Sequence, residues 1–262
     1  MENIEDFLKE TGFCDFSDKS IQALAGEIAK NCKNDREFAV SAFYWVRDNI
    51  LYRVGDWQRK ATETLIEREG ACTSKANLLV GLLRWRDIPA GYGIMKVYGR
   101  KYLGPIAGPM FQKFIGRLST HVYAIVFLDG KWIKCDPSDD KEFCDNTNYF
   151  NSTTRLTEWD GFRDATLNLD KNDIINDNYP ISNIDSWMGK RARNAKGIPL
   201  KVANLYVKFA RKNKIKVSNV KELENLFKKN LKKEYAFYFY LFMFFSYLKI
   251  ISQKLFKNEK NS

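Results

Sequence analysis

A chain of 262 residues with 45% hydrophobic and 29% charged content can build one core of ordinary size with an appendage, or two small domains. This composition excludes a disordered tail, a collagen-like fibre and a disulfide mini-scaffold. The formal net charge is +11; the five cysteines (14, 32, 72, 135 and 144) are odd in number and form no CxxC pair, which argues against zinc ribbons and a paired disulfide framework. His121 is the one histidine. Sites that need two imidazoles are therefore excluded, whereas a Cys-His or Ser-His site is not.

The chain opens with MENIEDFLKE, which is acidic and lacks a basic region followed by an apolar run. No signal peptide is expected, and a reducing, cytoplasmic setting follows as the default. Ile21, Leu24, Ile28 and Cys32 form a stripe at helical spacing. Asn34 with Glu37 is a capping-box pattern that starts a second helix carrying Phe38, Ala42, Trp45 and Val46. After Gly70-Ala71-Cys72 comes SKANLLVGLLRWR, apolar on more than one side, as in a buried helix. This helix ends near Asp87, because Pro89 disfavours helix at Ile88.

Strands are predicted over 92–98, 121–128 and 131–136, the last two joined by an Asp129-Gly130 turn. The Gly- and Pro-rich segment 99–119 reads as a long irregular loop. Residues 139–188 contain 17 Asp and Asn, and read as loops with short elements. Within them DKNDIINDN lacks the glycine and alternating ligands of an EF-hand loop, so calcium is not assigned.

Charge is unevenly distributed. Residues 189–262 carry 19 Lys and Arg against 4 Asp and Glu, so the basic character belongs to the last quarter alone. A boundary near 187–197 divides the chain into a domain over 1–188 and a basic, aromatic extension over 189–262. Residues 200–212 are amphipathic, with Val202, Leu205, Tyr206 and Phe209 on one stripe. A second amphipathic helix begins near Asn219 with Val220, Leu223, Leu226, Phe227 and Leu231 inward. Residues 235–251 hold nine aromatics in 17 positions. As a helix they span about 25 Å, short of a ~30 Å hydrocarbon core. Contact with an anionic membrane through 200–257, or packing against the rest of the chain or a second copy, compete as readings. Nucleic acid is disfavoured because the aromatics form one block, not interleaved with the basic residues. The oligomeric state is not legible.

The predicted hairpin brings chemistry together. With a two-residue turn, Leu128 faces Lys131 and Tyr123 faces Asp136. His121, two positions from Tyr123, then shares a sheet face with Asp136. The carboxylate can fix the imidazole tautomer and leave the other ring nitrogen free as a base. Cys72, at a helix N-terminus behind two small residues, is the candidate nucleophile, since the helix end favours a thiolate. Cys, His and Asp in this arrangement suit acyl transfer through a thioester. Cys14, Cys32, Cys135 and Cys144 have no such support and read as packing.

The segments EREGACTSKANLLVGLLRWRDIPAGYGIM and THVYAIVFLDGKWIKCDPS, preceded by TETL, resemble the three motifs of the transglutaminase-like superfamily. The likeness covers about residues 38–138, with 49 residues from Cys72 to His121 and 15 more to Asp136. It implies an α+β, papain-like core with a helix-borne cysteine packed on an antiparallel sheet, extended here by C-terminal helices. It implies a nucleophile at Cys72, a general base and acid at His121 and an orienting carboxylate at Asp136, with no cofactor and no metal. Trp57 and Gln58 are alternative oxyanion donors. Asp87 and Gly91 depart from the family pattern on either side of the "IPA" turn, and Gly91 is expected to alter the cleft lining. The implied substrate is a protein, a peptide or another amide. Hydrolysis is preferred over transfer to an amine, and a non-catalytic binding module is the alternative from another class.

Overall fold

The computed structural model describes residues 3–113, 115–147, 156–167, 169–191, 198–212, 217 and 219–230, with isolated positions between 236 and 248. Two helices follow a 3-10 turn at the start: α1 (Lys19–Ala29) and α2 (Asp35–Asn49). Each is capped by a side chain, the second by the residue that the sequence pattern predicts. Asp18 accepts from the Ser20 N–H, and Asn34 accepts from the Glu37 N–H at 2.9 Å. Glu37 reaches back to the Lys33 N–H at 2.8 Å, completing a box one residue wider than the usual form.

Strand β1 (Leu51–Tyr52), helix α3 (Ala61–Glu67) and strand β2 (Glu69–Gly70) lead into α4 (Cys72–Trp85). β1 and β2 pair in parallel, so Tyr52 sits beside Gly70. Every residue of α4 from Cys72 to Arg84 is buried. The apolar content on all sides explains this: α1, α2 and α3 cover one side and strands β3 (Ala90–Tyr98) and β4 (Leu118–Leu128) the other. Leu78, Leu79, Leu82 and Leu83 are fully buried, each contributing about 1.5–3 kcal/mol of hydrophobic stabilisation. The helix stops at Trp85, and Asp87 adopts a left-handed φ of 57°.

The main sheet is antiparallel in the order β5-β4-β3-β6, where β5 is Lys131–Cys135 and β6 is Ile174–Ile181. Asp129 and Gly130, with φ of 50° and 78°, make the two-residue turn. The ladder pairs Leu128 with Lys131 and Ala124 with Cys135, the register the turn dictates.

Two stretches differ from the sequence expectation. Segment 99–119 is no irregular loop: it forms α5 (Gly99–Leu103) and α6 (Pro109–Gln112), and its last residues belong to β4. Burial of Tyr102, Met110 and Phe111 supplies the order that the local Gly and Pro content conceals. Residues 139–188 contain α7 (Lys141–Thr147), α8 (Asp185–Arg191) and the eight-residue strand β6. β6 is an edge strand with no fully buried position, so it lacks the alternation that marks a half-buried strand. Gly91 also differs: it lies on β3, away from the cleft. A Cβ there would meet the Ile181 carbonyl oxygen at 2.5 Å and the Phe7 ring at 2.8 Å, so it serves close packing of β6.

The amphipathic stripes after residue 197 become α9 (Ile198–Lys212) and α10 (Val220–Asn230). Val202, Tyr206, Leu223 and Phe227 join Tyr52, Met110, Phe111 and Phe143 in a second apolar cluster. Arg211 of α9 is buried and donates to the Tyr52 carbonyl at 2.7 Å and to Asp140 Oδ2 at 2.8 Å. Leu231 and eight of the seventeen residues of 235–251 lie outside the described residues. Among the described residues no helix is long and apolar enough to cross a membrane.

Candidate active site

Cys72 is the first residue of α4. The N-cap, Ala71, offers no side-chain cap, so the helix end keeps N–H groups facing the site. Thr73 and Ser74 turn their hydroxyls away: they donate to the carbonyls of Trp57 and Asp56 at 3.0 and 3.1 Å, tying the 56–57 segment to the start of α4. Cys72 lines a cleft of about 340 Å³ with Trp57, Tyr102, Ser119, Thr120 and Trp187 among its walls.

His121 comes from the middle of the sheet, on β4, and is fully buried. Its Nε2 lies 2.7 Å from Asp136 Oδ2. Asp136 stands one residue past β5, on the face the hairpin register predicts. Its second oxygen accepts from the Ser138 N–H at 3.1 Å and from the Ser138 hydroxyl. These bonds fix the carboxylate, which in turn fixes the ring. Cys72 is near enough to His121 to favour the charged form of its ring.

The electrostatics follow from burial and charge. Burial alone would push the His121 pKa down, but the charge and hydrogen bond of Asp136, aided by Cys72, outweigh it and raise the value to about 10. Burial likewise opposes ionisation of Asp136, yet the His121 charge and the bonds to His121 and Ser138 hold its pKa below the ordinary value. The two groups therefore hold each other charged. Cys14 behaves oppositely: burial pushes its thiol up to about 12, as suits a packing residue. Cys135 is buried and raised as well.

One neighbour has no counterpart in the sequence reading. The Tyr102 hydroxyl, on α5, sits 3.0 Å from His121 Nδ1, so that nitrogen is not free. A single Tyr in a Gly-rich segment gave no signal of this. Trp57 lines the cleft beside Cys72, whereas the Gln58 amide donates to the Met188 carbonyl at 3.0 Å. No group of three His, Cys, Asp or Glu side chains among the described residues is placed to hold a metal ion.

Residues 22–137 match the family model of the Transglutaminase-like superfamily, a span that takes in Cys72, His121 and Asp136. This part of the chain is a transglutaminase-like domain. Among solved structures, a similar one is that of "a Putative Cysteine Protease from Cytophaga hutchinsonii", with 24% identity and a TM-score of 0.41. The likeness covers 52% of this chain and 43% of that one, so less than half of the longer protein is represented. No curated protein matches the sequence. The transglutaminase-like domain thus supplies α4 and the β4–β5 hairpin, and the cleft between them also takes Trp187 from beyond it.

Proposed function

We propose that this protein is a cysteine-dependent acyl-transfer enzyme that cleaves amide bonds, with Cys72 as nucleophile, His121 as proton carrier and Asp136 as the group that orients it. The observation that carries this reading is a buried imidazole held by Asp136 on one nitrogen, close behind a cleft that the Cys72 thiol lines. In the first half-reaction Cys72 Sγ bonds to the substrate carbonyl carbon. The thiol proton already rests on the His121 ring, which Asp136 holds charged. The C–N bond then breaks, and that proton leaves on the amine. In the second half, water attacks the thioester as His121 takes its proton. The carboxylic acid departs and the thiol is restored. First-turn N–H groups of α4 stabilise the oxyanion in both halves, with a further donor from the 57–58 segment.

Mass spectrometry of protein incubated with a cell lysate or an amide library tests this reading. An acyl mass on the Cys72 peptide, absent in Cys72→Ala, supports it. Amide turnover that persists in Cys72→Ala rejects it. Accumulation of a free acid identifies water as acceptor, and a new amide in the presence of added amine identifies transfer.

A further inference from the structure

Next to the cleft lies a second hollow, of about 270 Å³. Tyr52, Val54, Leu103 and Ser119 line both spaces, so the two adjoin across shared side chains. Beyond that wall the hollow is bounded by Phe111 of α6 and by Ala203, Tyr206 and Val207 of α9, and no charged residue lines it among the described residues. Helix α9 lies outside the segment that matches the superfamily.

The hollow is preformed. The Asn204 amide grips the backbone of Val54 twice, accepting from its N–H and donating to its carbonyl, both at 2.9 Å. Phe111, Tyr206 and Phe227 pack ring against ring, with centroids 4.6 Å apart for the first pair and 5.5 Å for Tyr206 with Phe227. Buried Arg211 ties the end of α9 to Asp140 and to the Tyr52 carbonyl. A rigid apolar space beside a reactive thiol incurs little ordering cost when it is filled.

We propose that this hollow receives an apolar group of the substrate, aromatic or aliphatic and of about five to eight carbons, attached close to the scissile carbonyl. At roughly 30 Å³ for each water-sized group, the space holds about nine of them. The inference rests on Cys72 being the nucleophile. It adds that helix α9 selects the substrate. The apolar group could belong to the acyl side or to the leaving side, and the test has an arm for each.

In one arm the full-length protein is given p-nitrophenyl acetate, hexanoate or 3-phenylpropanoate. In the other it is given the acetyl thioesters of ethanethiol or 2-phenylethanethiol. In every case the Cys72 thiolate forms a thioester as p-nitrophenolate or the thiolate departs, and the initial rate of Cys72 acylation is read by mass. The expected result is a preference of about tenfold or more for the larger apolar group in one arm, which names the side. Ala203→Phe, which fills the space, should reduce that ratio to near one. Should that variant fail to fold, Val207→Ala should move the preference towards a longer group. Equal rates in both arms, or a preference untouched by these variants, overturns the inference while leaving Cys72 as nucleophile. Absence of acylation in every arm overturns the nucleophile assignment and the inference together.

Discussion

The charge on His121 is set by two neighbours, and its consequences can be measured. Its pKa is raised in the folded protein to about 10, against roughly 6.5 in an unfolded chain. A raised histidine stabilises fully below the unfolded value and loses that contribution as pH climbs through the folded one. Asp136 is lowered, so its share is present above roughly 3.9 and is lost as pH falls through its folded value. The Tm difference between wild type and His121→Gln should therefore be largest between roughly pH 4 and 6.5, and should shrink towards pH 10. A difference that is flat with pH would contradict the assignment. Lys75, which burial lowers to about 8, has the opposite sign above that pH but is present in both proteins and cancels. At the same scale, Asp136→Asn should keep the fold and lower turnover by on the order of 10³–10⁴. Circular dichroism and amine release measured on the same sample check both halves of that statement.

Among the elements, α4 carries Cys72 and α9 borders the adjoining hollow, and each is anchored by one buried cation. Lys75 of α4 donates to the Arg47 and Ile50 carbonyls at 3.1 and 2.7 Å, where α2 ends. A cation there satisfies orphan carbonyls and complements the helix dipole. Lys75→Met should cost about 1–3 kcal/mol through those unpaired acceptors, read as a lower urea midpoint. Arg211→Met leaves Asp140 buried without its charged partner and should cost about 3–5 kcal/mol. Converting Asp140→Asn in the same chain should recover part of that loss. The elements that form the site were legible where local chemistry and tertiary packing agree. The Asp129-Gly130 turn fixed the hairpin register, and with it the neighbourhood of His121 and Asp136. Apolar stripes gave α1, α9 and α10, and a cap together with a stripe gave α2. Helices α5 and α6 were not legible, because glycine and proline dominate 99–119 while a few buried side chains order it. β6 escaped because an exposed edge strand rich in Asn and Asp has no alternation to read.

Across the whole molecule, the segment that matches the superfamily and the residues outside it do different work. The motif segments carry Cys72, His121 and Asp136, and the hairpin register that the turn dictates sets His121 2.7 Å from Asp136. The hollow behind them could not be foreseen, because it needs residues 52–54, 103–119 and 203–207 to converge, and no local pattern encodes that convergence. The basic surplus of the last quarter is likewise not uniform in role. Lys201 and Lys208 are exposed on α9, whereas Arg211 of the same helix is buried in an ion pair. The central claim is that thiol, imidazole and carboxylate act as one unit, and the rate of Cys72 alkylation tests it most directly. Iodoacetamide at neutral pH should label Cys72 faster than any other cysteine of the wild type. That rate should fall sharply in His121→Gln, with buried Cys14 and Cys135 unlabelled in either protein. Equal rates in the two proteins would contradict the account.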